Sequence, residues 1–115
     1  MVENKIYMEL AMENNNATRR FRKVMNTDYY DETNSGLISI ARYRYAFGNM
    51  NLGDDISIVD PIDGESINTY IHSGQWRIDR MTRFYRKYDV KSGDIAIIDV
   101  DPENHLMTIM FEKKI

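Results

Sequence analysis

Short runs of alternating apolar and polar residues along most of the chain predict a mainly β structure. A Pro/Asp/Gly turn divides the segment Gly53–Ile71 into two strands. The polar stretch Asn26–Gly36 is expected to be a loop. The other strands, the last two of which form a hairpin, are predicted at Lys5–Met12, Arg19–Met25, Leu37–Ala41, Gly93–Asp101 and Leu106–Lys113.

Two segments have the residue spacing of short helices. Arg42–Asn51 is expected to form one that ends at Gly48 or soon after it, and Asp79–Tyr88 another with Asp79 as its N-cap. The second helix carries an apolar stripe that should face the core. This stripe consists of Ile78, Met81, Tyr85 and Tyr88.

The order of elements repeats within the chain. The same order of strand, helix, Gly-Asp, strand, turn and strand is predicted for Leu37–Ile71 and, with little change, for Trp76–Phe111. Gly53-Asp54 and Gly93-Asp94 stand at the same place in the two halves. Glycine adopts a positive φ without steric cost and aspartate caps free amides, so both pairs are expected to be structural turns. Two copies in so short a chain favour a pseudo-twofold barrel.

The composition predicts a single soluble domain that spans residues 1–115. Hydrophobic residues make up 43% of the chain and charged residues 29%, and there is no cysteine. The absence of cysteine excludes disulfides and thiolate metal sites and is typical of a reducing cytoplasm. The sequence also contains no apolar run long enough for a membrane helix and no signal peptide. A cytoplasmic protein without a membrane partner is therefore expected.

The charged residues lie in blocks of alternating sign, although the net charge is only −3. Six bases occur between Arg19 and Arg44, and six more between Arg77 and Lys91. The intervening segment from Tyr45 to Trp76 has five acids and no lysine or arginine. Local potential rather than net charge should therefore determine which partners bind.

The segment Met81–Ile98 resembles the hallmark of the plant B-three DNA-binding domain. In that family an aromatic residue precedes Ser/Thr, a base, Phe, a polar stretch, Leu and Gly-Asp. Here Met81 replaces the usual Trp and Val90 the usual Leu. The remaining hallmark positions are held by Thr82, Arg83, Phe84, Gly93 and Asp94. The resemblance is clearest over Leu37–Phe111, and the same fold occurs in specificity or effector domains of some restriction endonucleases.

This resemblance implies a mainly β (α+β) fold, a seven-stranded open pseudobarrel with two short helices and an internal pseudo-twofold repeat. It also implies that two projecting segments grip the major groove of double-stranded DNA. In this chain they would fall within Arg19–Arg44 and Tyr70–Arg80, and both ranges overlap basic blocks.

The side chains in these two segments suit DNA. Lysine and arginine bind phosphates, arginine can read guanine, and glutamine can read adenine. From the first segment the candidate contacts are Arg19, Arg20, Arg22, Lys23, Asn26, Thr27, Asn34, Arg42 and Arg44. From the second segment they are Tyr70, His72, Ser73, Gln75, Trp76, Arg77 and Arg80, with Arg77 and Arg80 favoured. The bases nearer the end of the second helix are expected to be scaffold.

The sequence gives no sign of an enzyme. It lacks both glycine-rich nucleotide loops, and His72 and His105 lie in different elements without a metal-ligand pattern, so neither a metal nor a cofactor is expected. A Pro-Asp pair followed by Glu-x-Lys, a nuclease signature, is also absent. A restriction-modification or regulatory protein would then use this chain as its recognition module, with a fused or associated subunit for catalysis. The alternatives are a swapped-hairpin regulator similar to AbrB, a small protein-interaction or adaptor protein, and a nucleic-acid mimic.

Overall fold

The computed structural model describes residues 19–25 and 32–115 as seven strands and three short helices. The strand predicted at Lys5–Met12 lies outside the described residues. The elements are β1 (Arg19–Val24), α1 (Glu32–Ser35), β2 (Ile38–Ser39), a 3₁₀ helix (Ala41–Phe47), β3 (Asp55–Val59), β4 (Ser66–Tyr70), β5 (Arg77–Ile78), α2 (Thr82–Lys87), β6 (Ile95–Asp101) and β7 (Leu106–Glu112).

Five of the strands form one sheet in the order β1-β6-β7-β3-β4, and β2 pairs with β5 in a separate two-stranded sheet. All of these pairings are antiparallel except that of β3 with β7, which is parallel. The two predicted hairpins are β3–β4 and β6–β7, and the parallel β3–β7 contact joins them. β1 occupies the free edge of β6, so the sheet stays open instead of closing into a barrel.

The two Gly-Asp pairs form the turns that the repeat predicted. Gly53 and Gly93 have φ angles of 88° and 96°, which favour glycine over residues with a side chain. Asp54 Oδ2 accepts the Asn51 N–H at 2.8 Å, and Asp94 Oδ2 accepts the Lys91 N–H at 2.9 Å. The two halves of the chain therefore enter their hairpins through the same capped turn.

The core lies between the sheet and the helices and is built mainly from isoleucine, methionine and phenylalanine. From α2 and its approach, Ile78, Met81, Phe84 and Tyr85 are buried, and Tyr88 is half-buried. Tyr85 Oη donates a hydrogen bond to the Leu37 carbonyl at 2.7 Å. Burial raises the pKa of this phenol well above its usual value. The predicted apolar stripe thus packs α2 onto the core.

Three local predictions were wrong. The predicted loop Asn26–Gly36 contains the one-turn helix α1, and the strand predicted at Leu37–Ala41 is reduced to β2. Asp79 is not the N-cap of the second helix, because α2 begins only at Thr82. Between them Arg80 adopts a left-handed φ of 69°, which interrupts any helix starting at Asp79.

Asp94 differs from its counterpart Asp54 in being buried and ion-paired. Its carboxylate accepts hydrogen bonds from Lys113 Nζ at 2.7 Å and from the N–H groups of Lys114 and Lys91. Burial alone would raise its pKa, but these donors outweigh burial and lower the pKa of Asp94 to about 2.

The stability contributed by Asp94 should therefore depend on pH. It is fully present above the unfolded pKa of 3.8 and is lost as the pH falls towards the folded pKa of about 2. Between pH 5 and pH 2 the protein should lose about 1–2 kcal/mol of unfolding free energy that an Asp94→Asn variant does not lose. Urea unfolding of both proteins at several pH values measures this, and equal losses would contradict the assigned ion pair.

Among the described residues, no helix is long and apolar enough to span a membrane.

Candidate nucleic-acid interface

The segment between β4 and α2 folds back on itself as a narrow hairpin. Ile71 and Ile78 form a bridge on its buried side. One residue closer to the tip, the His72 N–H donates to the Arg77 carbonyl at 2.9 Å. Because successive side chains alternate between the two faces of a strand, His72 and Arg77 lie on the outer face of this hairpin.

The tip of the hairpin presents polar side chains to solvent. The Gly74 N–H donates to His72 Nδ1 at 3.0 Å and closes the turn. Ser73 and Gln75 are exposed, while His72 is half-buried. The segment His72–Gln75 is therefore a projecting turn.

Arg77 is held by residues of its own hairpin. Its Nη1 donates to Gln75 Oε1 at 2.9 Å, and its Nε lies 3.3 Å from Asp79 Oδ1. Within the described part of the chain this Nε is buried without a hydrogen bond of good geometry. Only 25% of the Arg77 side chain is exposed. The guanidinium is thus restrained before any ligand arrives, which lowers the entropy lost on binding.

Trp76 connects the two predicted DNA-binding segments, which are distant in the sequence. It is half-buried against the core, and its carbonyl accepts the Ile40 N–H at 2.8 Å. The guanidinium carbon of Arg44 lies 5.7 Å from the centroid of its ring, in a cation–π contact. The 3₁₀ helix and the hairpin therefore share one surface at Trp76.

β1 brings a further arginine to the same 3₁₀ helix. Phe21 stacks on Tyr43 with ring centroids 4.3 Å apart, and Arg19 Nη1 donates to the Tyr45 carbonyl at 2.9 Å. The Tyr45 side chain itself is prominent, with 61% of it exposed.

These residues form what we call the arginine surface, which comprises Arg19, Arg42, Arg44, Tyr45, Trp76 and Arg77. Three of its four arginines have no acidic partner in the described residues. In residues 19–25 and 32–115, no carboxylate oxygen lies within 4.0 Å of the guanidinium of Arg19, Arg42 or Arg44. Such uncompensated cations beside the exposed Tyr45 and the half-buried Trp76 suit a polyanion.

Structures of known proteins share this fold at low sequence identity. One is a hypothetical Arabidopsis thaliana protein with 12% identity and a TM-score of 0.61, matched over 83% of this chain and 90% of that one. Another is Arabidopsis thaliana transcription factor LEC2, in the crystal structure of its DNA complex. It has 14% identity and a TM-score of 0.59 over 82% of this chain and 93% of that one. The predicted pseudobarrel fold is confirmed. Comparison of the sequence with protein-family models and with curated proteins finds no match.

Two of the arginines predicted to bind DNA already form ion pairs within the fold. On the outer face of β1, Arg20 makes two hydrogen bonds of 2.8 Å to Asp99, and Arg22 pairs with Glu112. Hydrogen bonding to Asp99 also raises the pKa of Arg20. The interpretation of these two side chains as phosphate contacts therefore requires that a phosphate compete with a carboxylate already in place.

Lys23 is placed inside the fold. Only 10% of its side chain is exposed, and its Nζ lies 3.2 Å from Glu32 Oε1. It points to the same side of β1 as the buried Phe21, as strand alternation requires. A DNA contact by Lys23 is inconsistent with this burial, so its inclusion in the candidate site is corrected.

Other candidates of the first segment lie away from this surface or outside the described residues. Asn26 and Thr27 lie outside the described residues. Asn34 is exposed on α1. α1 packs mainly against α2.

Two candidates of the second segment lie at the base of the hairpin. Tyr70 ends β4, and the guanidinium carbon of Arg80 lies 5.7 Å from the centroid of its ring. Both line a separate groove on the outer face of β3 and β4.

Two of the three bases of α2, Arg83 and Lys87, pair with the acidic β3–β4 turn. Lys87 Nζ lies 2.8 Å from the buried carboxylate of Asp60 and also binds Asp63. Arg83 pairs with Glu65 at 2.8 Å. The ammonium of Lys87 lowers the pKa of Asp63. Burial and a hydrogen bond to Asp60 raise the pKa of Tyr88 to about 12.

Tyr45 is a surface residue that the sequence reasoning missed. The signal was present, because Tyr45 stands in the run Arg42–Tyr45, where arginines and tyrosines alternate. Elsewhere the described residues contain no group of three or more His, Asp or Glu side chains placed to hold a metal ion.

Proposed function

We propose that this chain is a sequence-specific binding domain for double-stranded DNA. The observation that carries the proposal is the arginine surface. There Arg44 lies over the Trp76 ring and Arg19 bonds the Tyr45 carbonyl. In the described residues no carboxylate lies within 4.0 Å of either guanidinium or of the exposed Arg42. Half or more of the hydrogen bonds in protein–DNA complexes go to phosphate and sugar, and arginine is a common donor.

The roles within this surface follow from position. Arg44 lies against Trp76 of the hairpin and Arg19 against the 3₁₀ helix, and both would bind phosphates, which fixes the register of the duplex. Arg77 and Gln75 stand on the hairpin itself and would read base edges in the major groove. Arginine can make two hydrogen bonds to guanine O6 and N7, and glutamine can do the same with adenine N6 and N7.

The comparison with solved structures supports the partner. LEC2 was crystallised with DNA, and its fold is similar to that of this chain over most of both lengths. At 14% identity this similarity shows the fold but does not show which residues contact DNA. The roles proposed for individual residues therefore rest on the arginine surface alone.

We further propose that the chain is a reader and not a catalyst, as the sequence motifs indicate. It would serve as the recognition module of a regulatory or restriction-modification protein, with cleavage by another domain or subunit. A swapped-hairpin regulator is less well supported, because the fold of this chain is similar to that of LEC2 over 82% of its length. An adaptor protein would not need so many unpaired arginines in one place.

Binding to duplexes from a random-sequence selection tests the proposal. Affinity should fall steeply as salt rises, and Arg44→Ala should reduce it about tenfold, since it removes one charge-assisted hydrogen bond. The slope of log K against log salt should decrease in magnitude by about 1. Arg83→Ala, which removes the same charge from an arginine paired with Glu65, is the matched control and should change affinity less than about twofold. Failure to enrich any duplex would overturn sequence-specific reading, and equal losses in the two variants would overturn the assigned surface.

A further inference from the structure

A polar groove of about 450 Å³ lies on the outer face of β3 and β4, at the base of the Tyr70–Arg80 hairpin. Cavities of this size accept small-molecule ligands. The lining residues that matter here are Asp55, Ser57, Asn68, Tyr70, Arg80 and His105.

Four of these residues form the floor as two cross-strand pairs. Asp55 lies opposite Tyr70, and Ser57 lies opposite Asn68. Ser57 Oγ donates to Asn68 Oδ1 at 2.8 Å, which orients the amide and leaves its two Nδ2 hydrogens available to a ligand. The floor thus presents a carboxylate, an amide donor and a phenol on adjacent strands.

Two residues of the walls have an unusual backbone conformation. His105 and Arg80 have φ angles of 51° and 69°, and they are two of the three non-glycine residues with positive φ in the described part of the chain. His105 Nδ1 lies 2.9 Å from the Asp55 carbonyl, to which it must donate because a carbonyl only accepts. Strained residues of this kind collect at binding sites, and both of these line one groove.

The groove carries separated charges of opposite sign. Within residues 19–25 and 32–115, Asp55 has no cation and Arg80 no carboxylate within 4.0 Å. Instead the Arg80 guanidinium rests on the Tyr70 ring. A ligand that satisfies both ends must offer a hydrogen-bond donor to Asp55 and an anion to Arg80.

We propose that this groove binds a nucleotide whose base carries an exocyclic amino group, namely cytosine or adenine. Asp55 accepts from the amino group, as carboxylates do from cytosine N4. Arg80 binds the phosphate, and Asn68 donates to a ring nitrogen or carbonyl of the base. The nucleotide is either free or an unpaired nucleotide of bound DNA, and only the second case rests on the proposed function.

Titration with deoxycytidine and deoxyuridine monophosphates, followed by amide chemical shifts of residues 55–57, 68–70 and 104–105, tests the groove. The cytosine nucleotide should bind about tenfold more tightly, because uracil lacks the amino donor to a charged acceptor. Asp55→Asn should abolish this preference, whereas Glu103→Gln, a charge change in the neighbouring exposed turn, should keep it. Arg80→Ala should weaken both nucleotides and leave binding of unphosphorylated deoxycytidine unchanged.

A second pair of measurements separates the two sources of the nucleotide. A selected duplex with a single-stranded cytosine extension should bind more tightly than the blunt duplex if the nucleotide belongs to DNA, and equally tightly if it is free. Absence of nucleotide binding at millimolar concentrations, or a cytosine preference that survives Asp55→Asn, overturns the groove proposal even where duplex binding is normal. Nucleotide binding without any duplex binding supports the groove and overturns the proposed function instead.

Discussion

Replacing Glu32 with alanine is expected to lower the free energy of unfolding by about 3–5 kcal/mol, because it leaves a buried ammonium unpaired. The side chains of Lys23 and Glu32 are 10% and 2% exposed, with Nζ and Oε1 3.2 Å apart. Glu32 Oε2 also accepts the Ser39 N–H at 2.7 Å, so the same carboxylate ties α1 to β2. Urea denaturation of the wild type and the variant gives the difference.

Asp99→Ala is the control for this prediction, since it breaks an ion pair whose arginine side chain is 53% exposed. Its cost should stay below about 1 kcal/mol. The double variant Lys23→Met, Glu32→Gln should recover part of the loss, because it removes both buried charges together. If Glu32→Ala and Asp99→Ala cost the same, the Lys23–Glu32 pair is not buried in solution.

Arg77→Ala is expected to relax the base preference at one position of the selected DNA site. The binding free energy for the preferred sequence should weaken by about 1–3 kcal/mol. The guanidinium is restrained by Gln75 and Asp79, so its directional hydrogen bonds come without much loss of side-chain freedom. A repeat of the selection with the variant, together with affinities for single-base substitutions of the site, measures the effect.

Arg77→Lys separates shape from charge, since an ammonium keeps the charge but not the planar fork. Compared with Arg77→Ala, the Arg77→Lys variant should regain affinity for duplexes of unrelated sequence, but its base preference should stay relaxed. A uniform loss across all sequences in Arg77→Ala, with recovery by lysine, would reduce Arg77 to a phosphate contact and move base reading elsewhere on the hairpin.

The parts of the fold that depend on local chemistry could be predicted from the sequence. The Gly53-Asp54 and Gly93-Asp94 turns follow from positive φ and side-chain capping, both of which act within four residues. The two long hairpins follow from strand alternation and their turn residues. The 3₁₀ helix ends at Phe47 with Gly48 as its C-cap, as its sequence indicated.

The ion pairs of the β1 arginines could not be predicted, because they depend on the register of β1 against strands that are distant in the sequence. Arg20 lies directly opposite Asp99, and Arg22 reaches Glu112 on β7, one strand further. A shift of one residue would have exchanged the two faces of β1. Lys23 lies on the same side of β1 as Phe21. Its buried partner Glu32 follows a polar stretch without periodicity, so this ion pair could not be predicted either.

The pairing of β1 with β6 has a consequence for how the chain acquires its binding surface. Arg20 and Asp99 are 79 residues apart, whereas each long hairpin pairs strands that are neighbours in sequence. Contacts of large sequence separation require closure of a long loop and therefore slow the folding of a domain. The hairpins can form early, but Arg19 reaches the 3₁₀ helix only when β1 docks, so a partly folded chain holds an incomplete arginine surface.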